Sequence, residues 1–193
     1  AFELNRRIQF LGRPIRHGGM APLWTTRVWR NGWARCESRR TDEHMLLLRG
    51  RIARLPGLLI DDNLNSLSWW TQKHNDYATR EALDVLERRH RLGITDDLPT
   101  GLNRQARAKR WLKTRVYAGL PLGVRPWFYF FYRIVLRFGF CDGARGVIFH
   151  TMQGLWYRLL VDAKVLEVEA AMARQGWDVR EAVSRILGID IGH

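Results

Sequence analysis

The sequence predicts an α+β fold, with short strands in the first third of the chain and helices in most of the remainder. Up to Asp62, short segments rich in Ile, Leu, Val and Trp are separated by glycines and prolines, which is typical of strands joined by turns. From Asn65 onward, apolar residues recur at spacings of three and four, which predicts helices. Hydrophobic residues are 46% of the 193 residues and charged residues 26%, which argues for a packed core and against a disordered chain.

The clearest local feature of the first third is a predicted hairpin. The segment from Trp24 to Cys36 has the pattern of a strand, an Asn31-Gly32 turn and a second strand, because Asn-Gly readily supplies the positive φ angles of a hairpin turn. Upstream, His17-Gly-Gly predicts a flexible turn. Its backbone amides can approach a phosphate, but the sequence favours a plain glycine turn between two strands.

A long amphipathic helix is predicted from Asn65 to a stop at Gly93. Its apolar positions are Leu67, Trp70, His74, Tyr77, Ala78, Ala82, Val85 and Leu86. Asp61-Asp62-Asn63 precedes it and is better explained as a helix cap than as a metal site. Further helices are predicted at about 104–118, 125–138, 144–175 and 179–187. We therefore divide the chain into residues 1–64, the strand-rich part, 65–102, the long helix and a linker, and 103–193, the helical part.

The formal charge of +13 predicts an anionic partner. The basic character is strongest between Asp97 and Asp142, a segment with nine Lys or Arg and no Asp or Glu. The most apolar stretch lies inside this segment and is interrupted by arginines, so we predict no transmembrane helix. The chain has two cysteines, Cys36 and Cys141, which are too few for a disulfide framework and lack metal-ligand spacing. This favours a reducing compartment.

Basic residues followed by an aromatic band predict a helix that lies in a membrane interface, with rings inserted and Arg heads at lipid phosphates. The alternative is a buried aromatic helix whose arginines line its solvated side. The predicted interface residues are Arg110, Lys113, Trp127, Phe128, Phe131, Arg133 and Arg137. Arg133 and Arg137 are spaced i, i+4, which would place them on one face of a helix.

The strongest chemical candidate is the tetrapeptide from Thr41 to His44. A carboxylate here can accept a proton from a hydroxyl nucleophile, and the adjoining imidazole can orient it. Three ionisable neighbours are also common in an ordinary exposed loop, and spacing alone favours that interpretation.

Taken together and in this order, a set of segments resembles the C-terminal part of bacterial family 2 glycosyltransferases that build envelope polysaccharides and lipopolysaccharide cores. The segments are Arg6–Arg16, His17-Gly-Gly, Arg27-Val-Trp-Arg-Asn-Gly, Asp42-Glu43-His44, Trp70–Ala82 and Gly139–Gly146. The resemblance covers about Glu3 to Glu167. It implies a GT-A fold in which a nucleotide-binding half precedes this sequence and holds a divalent metal, Mg or Mn, through an Asp-x-Asp motif. This chain has no Asp-x-Asp, so we expect the nucleotide half and the metal ligands to lie outside it.

The resemblance also implies roles for particular residues. Glu43 is the first choice and Asp42 the second for the general base that deprotonates the acceptor hydroxyl, and His44 orients the acceptor or the carboxylate. Residues expected to line the substrate pocket are Arg13, His17, Trp24, Arg27 and Lys73, with a cation near the diphosphate and an aromatic ring under a sugar.

The expected partners are a nucleotide-sugar donor, a lipid-linked saccharide acceptor and an anionic membrane surface, at the cytoplasmic face of the bacterial inner membrane. The Gln-x-x-Arg-Trp signature of processive synthases is absent, which favours transfer of a single sugar. The alternative hypothesis is a basic module that binds nucleic acid or a membrane surface without catalysis. Nucleic acid is the less expected partner, because no RNA-recognition, zinc-finger or helix-turn-helix signature is present.

Overall fold

The computed structural model describes residues 1–36, 45–92 and 119–191 and confirms an α+β architecture. The main sheet is built around β1 (Phe2–Phe10). Two strands pair antiparallel with β1 and one pairs parallel with it: β2 (Arg13–Pro14), β3 (Leu23–Val28) and β6 (Ala53–Asp62). A second, two-stranded sheet consists of β4 (Ala34–Cys36) and β5 (Met45–Leu47).

The predicted hairpin was wrong, although its turn is present. Gly32 has a φ of 74°, and the amide of Trp33 donates to the carbonyl of Arg30 at 3.0 Å. The strands on either side of this turn belong to different sheets, because β3 pairs with β1 and β4 pairs with β5. The Asn-Gly turn reverses the chain direction but does not decide which strands pair. Because β1 has nine residues and β4 only three, β3 forms more cross-strand pairs with β1 than it could with β4.

The long helix is confirmed as α1 (Leu67–His90). Its cap differs from the prediction, because the Ser66 side chain accepts from the Trp69 amide at 3.2 Å. The predicted capping carboxylates belong instead to the end of β6, where Asp61 binds Arg6. The side chain of Asn63 bonds to Asn65. The expected stop at Gly93 lies outside the described residues.

Helical structure in the last part of the chain follows the predicted ranges closely. The elements are α2 (Arg125–Phe131), a π-helical turn (Tyr132–Leu136), a 3₁₀ turn (Gly139–Asp142), α3 (Gly143–His150), a second π-helical turn (Thr151–Trp156), α4 (Tyr157–Gln175) and α5 (Val179–Leu187). The helix predicted at 125–138 therefore ends in a π-helical turn, and the helix predicted at 144–175 contains one in its interior. The helix predicted at 104–118 lies outside the described residues.

The largest apolar cluster joins α1 to α4 and α5. A smaller cluster of Phe10, Ile15 and Phe149 joins the main sheet to α3. Within the described residues, no helix is both long enough and apolar enough to cross a membrane.

A buried ion pair connects α2 to α4. Nε of Arg125 donates to the two carboxylate oxygens of Asp162 at 2.9 and 3.1 Å. The amide of Gly123 donates to the same carboxylate at 2.8 Å. Because the Arg125 and Asp162 side chains are both buried, this pair sets the position of α2 against the helical core.

Candidate functional site

Asp142 joins two motifs that are far apart in the sequence. Its side chain is buried, and its carboxylate accepts hydrogen bonds from the amides of Arg16 (3.1 and 3.2 Å) and His17 (2.9 Å). Nδ1 of His17 lies 2.7 Å from Asp142 Oδ1. The His17-Gly-Gly turn and the Gly139–Gly146 segment therefore form one site.

These bonds count against the phosphate interpretation of the His17-Gly-Gly turn. The amides of Arg16 and His17 donate to the Asp142 carboxylate, and the amide of Gly18 donates to the carbonyl of Arg137 at 2.8 Å. A phosphate at these three amides would have to displace existing acceptors, one of them a carboxylate. The turn is therefore a docking point for the C-terminal segment.

Two basic side chains of this region are buried, and one of them, His150, lies next to Asp142. His150 is 0% exposed, with Nε2 3.9 Å from Asp142 Oδ2. Arg133 is 2% exposed and donates from Nη1 to the side chain of Gln153 at 3.0 Å. Its guanidinium carbon also lies 5.6 Å from the ring centroid of Tyr129 and 5.7 Å from that of Phe149.

Burial and the nearby Arg133 charge lower the pKa of His150 to about 4, although Asp142 opposes the shift. Its imidazole is therefore neutral at neutral pH. Burial also lowers the pKa of Arg133. Among the described residues, Nε and Nη2 of Arg133 and both ring nitrogens of His150 have no hydrogen-bond partner.

Glycines allow the backbone to approach these two side chains closely. A Cβ atom on Gly18 would lie 2.1 Å from Cε1 of His150, and one on Gly139 would lie 2.7 Å from Cδ2 of the same ring. A Cβ atom on Gly154 would lie 3.3 Å from Nη1 of Arg133. His150 was not among the residues predicted from the sequence. The glycines that follow His17 and flank Asp142 were the available signal, because glycine often marks close contact between backbone and a neighbour.

Arg133 does not lie where the sequence predicted. It was expected on a membrane-facing surface, with its head at lipid phosphates, but its guanidinium is enclosed by Tyr129, Phe149 and Gln153. Arg137 is exposed but follows the π-helical turn with a φ of −109°. The predicted shared helical face of the two arginines is therefore wrong, because the chain leaves the helix between them.

The aromatic residues of α2 and the turns after it form a continuous exposed stretch. Trp127 is 56% exposed and Phe128 60%. The residues that we call the apolar face are Val124, Trp127, Phe128, Phe131, Tyr132, Val135, Leu136, Phe138 and Phe140, all of them exposed. An apolar patch of this extent marks an interaction surface. Of the predicted interface residues, Trp127, Phe128 and Phe131 lie on it, whereas Arg110 and Lys113 lie outside the described residues.

The structure does not gather the predicted substrate residues into one pocket. Arg13 is paired with Phe10 at one end of β1, and Arg27 lies beside Thr26, which is paired with Glu3 near the other end. Seven residues of extended strand separate these positions by roughly 23 Å. The two arginines therefore cannot bind one diphosphate together.

The other predicted site residues have separate environments. The guanidinium carbon of Arg54 lies over the ring of Trp24, 4.4 Å from the ring centroid. Lys73 lies on α1, with Nζ 4.8 Å from the ring centroid of Trp69 and 5.6 Å from that of Tyr77. The predicted catalytic residues Asp42, Glu43 and His44 lie outside the described residues. In the described ranges, no group of three or more His, Cys, Asp or Glu side chains is arranged to hold a metal ion.

One surface groove was not anticipated from the sequence. It has a volume of about 490 Å³ and is lined by Asn5, Arg6, Arg7, Arg16, Ala21 and Pro22. Its position beside the His17-Gly-Gly turn puts a basic groove next to the Asp142 contact.

No family model, curated protein or solved structure matches this chain. The functional interpretation therefore depends on the chain's own residues and their arrangement.

Proposed function

We propose that this chain is the acceptor-side and C-terminal part of an inverting family 2 glycosyltransferase with a GT-A fold. It adds a single sugar from a nucleotide-sugar to a lipid-linked saccharide at the cytoplasmic face of the bacterial inner membrane. The observation that carries the proposal is the apolar face of residues 124–140, exposed on a chain with a formal charge of +13. The ordered motifs of the sequence support the assignment to glycosyl transfer.

The apolar face has the chemistry of an interfacial helix. Trp and Phe rings are favourable at the boundary between headgroups and acyl chains, and basic residues nearby are attracted to anionic lipid. Arg137, within this segment, and Arg145, shortly after it, are both exposed. A peripheral enzyme bound in this way meets an acceptor whose lipid anchor stays in the membrane.

In the proposed reaction, the carboxylate of Glu43 takes a proton from the acceptor hydroxyl as its oxygen attacks the anomeric carbon. The bond from that carbon to the nucleoside diphosphate breaks on the opposite side, which inverts the configuration. The nucleotide-binding half and the ligands of the Mg or Mn ion lie outside these 193 residues in this proposal. That metal would neutralise charge on the departing diphosphate.

Removing two rings from the apolar face should weaken membrane binding at least tenfold. Burying each Phe side chain contributes about 1.5 kcal/mol or more, so the Phe128→Ala/Phe131→Ala variant loses more than the roughly 1.4 kcal/mol that corresponds to a tenfold change in binding. The measurement is co-sedimentation with anionic and neutral vesicles over a salt series. The matched control is Leu64→Ala/Leu166→Ala, which shortens two exposed apolar side chains outside this face.

An equal loss of vesicle binding in the two double variants would contradict the assigned membrane face. Tight, salt-sensitive binding to a generic oligonucleotide without preference for vesicles would instead favour the nucleic-acid module. Circular dichroism of each variant establishes that the fold is retained.

Glu43→Gln should lower glycosyl transfer at least 100-fold in the full-length enzyme, because loss of a general base typically costs 10²–10⁴ in rate. The measurement is transfer from a labelled nucleotide-sugar to a membrane lipid extract, with vesicle binding as the test of an intact fold. Asp42→Asn is the matched comparison. Full activity of Glu43→Gln with an inactive Asp42→Asn would move the base to Asp42, and full activity of both would remove the base from this segment.

A further inference from the structure

The basic groove beside the His17-Gly-Gly turn is an open cavity of about 490 Å³ with three arginines, Arg6, Arg7 and Arg16, among its lining residues. Arg6 is already engaged, since its Nε donates to Asp61 at 2.9 Å. Within the described residues, no ion pair involves Arg7 or Arg16. The groove therefore carries positive charge that the surrounding described side chains do not neutralise.

The backbone around the groove is held in place by two hydrogen bonds to side chains. The amide of Arg16 donates to the buried carboxylate of Asp142. The side chain of Asn5, another lining residue, accepts from the amide of Leu23 at 3.3 Å, immediately after Pro22. An arginine anchored through its own backbone loses less freedom when its side chain binds a ligand.

The groove is also connected to the apolar face through direct contacts. Gly18 donates to the carbonyl of Arg137 at 2.8 Å, where the apolar face continues into Phe138. Asp142, which holds Arg16, follows the exposed Phe140 by two residues. When the apolar face lies on a membrane, the adjoining groove is therefore near the lipid headgroups.

We propose that this groove binds the phosphate or diphosphate group of a membrane-borne lipid, with Arg7 and Arg16 as the contacting cations. A guanidinium presents paired N–H donors whose geometry matches phosphate oxygens. Two such groups in one groove fit a group with two or more negative charges. The inference rests on the proposed function and specifies it, because a diphosphate next to the membrane is the polar end of a lipid-linked saccharide.

The first measurement is calorimetric titration with inorganic pyrophosphate. The unmodified chain should bind it, and Arg7→Gln/Arg16→Gln should weaken binding at least tenfold. The matched control, Arg49→Gln/Arg51→Gln, removes two exposed arginines outside the groove and should stay within twofold of the unmodified chain. Equal weakening in both variants would show that net charge alone attracts the anion and would overturn the site.

The second measurement separates a lipid source from a free one. Binding is compared between two preparations of phosphatidylcholine vesicles. One contains a prenyl diphosphate, and the other contains enough phosphatidylglycerol to give the same surface charge. The unmodified chain should prefer the prenyl diphosphate vesicles about tenfold, and Arg7→Gln/Arg16→Gln should lose that preference. Pyrophosphate binding without this preference would overturn the lipid source.

The two proposals fail in distinguishable ways. If vesicle binding depends on Phe128 and Phe131 but not on Arg7 and Arg16, and pyrophosphate does not bind, the groove proposal alone is overturned. If pyrophosphate binds in the groove and no vesicle binds, the membrane location and the lipid source both fail.

Discussion

Replacing Asp162 with alanine should lower the free energy of unfolding by about 3–5 kcal/mol, the usual cost of removing one partner from a buried ion pair. The Arg125 guanidinium would be left buried without its carboxylate, and the amide of Gly123 would lose its acceptor. Since this contact attaches α2 to α4, the variant should also loosen the helix that carries the apolar face. Urea denaturation followed by circular dichroism measures the loss.

Replacing both partners tests the electrostatic origin of this loss. Arg125→Met/Asp162→Leu replaces both charges with apolar groups and should be much more stable than Asp162→Ala, because no buried guanidinium is left without the Asp162 carboxylate. The exposed pair of Arg185 and Glu181 serves as the control, and Glu181→Gln should cost no more than about 1 kcal/mol. If the double variant is as unstable as Asp162→Ala, the loss comes from packing and not from the lost ion pair.

Gly18→Ala should lower the free energy of unfolding by about 2–5 kcal/mol, the sum of a backbone and a steric contribution. Gly18 has a φ of 66°, which costs an L-residue about 1–2 kcal/mol. Its Cβ would also lie 2.1 Å from Cε1 and 2.5 Å from Nε2 of His150. Because the imidazole is fully buried, relieving this overlap means moving the ring or the turn, at a typical cost of about 1–3 kcal/mol.

Gly12 separates the two contributions, because its φ is 73° and a Cβ there would meet no atom within 4 Å. Gly12→Ala should therefore cost only the backbone term, about 1–2 kcal/mol. The double variant Gly18→Ala/His150→Ala removes the imidazole that the new methyl group would overlap. Its loss of unfolding free energy should therefore be smaller than the sum of the losses of the two single variants. Strictly additive losses, measured by urea denaturation, would show that contact with His150 is not the reason why glycine is required at position 18.

The helices were predictable because their signal is local. In α1, five of the eight predicted apolar positions are buried, since a spacing of three and four places them on one face: Trp70, Ala78, Ala82, Val85 and Leu86. Leu67 and Tyr77 are exposed, and His74 is half-buried. The helix ends were less predictable. Asp61, Asp62, Asn63 and Ser66 all have side chains that can cap a helix. Ser66 caps α1 because it directly precedes the first helical residue, Leu67, which brings its hydroxyl to the Trp69 amide.

Strand partners and side-chain environments depended on distant parts of the chain. The Asn31-Gly32 turn formed as predicted, yet its two strands joined separate sheets, because strand pairing is decided by the partners that the whole chain supplies. Arg133 was assigned to a lipid surface from its neighbours in the sequence. Its burial followed from Tyr129, Phe149 and Gln153, two of which come from later helical segments.

By itself, the sequence determined the α+β class, the helical ranges within the described residues, the strong basic charge and the aromatic content of the segment that forms the apolar face. These properties follow from composition and from periodicities within a few turns or strand residues. Only the tertiary structure brought Asp142 to the amides of Arg16 and His17, buried His150 against Gly18 and placed the basic groove beside the apolar face. These contacts join residues more than a hundred positions apart, and burial together with hydrogen-bond satisfaction across the whole fold selects them.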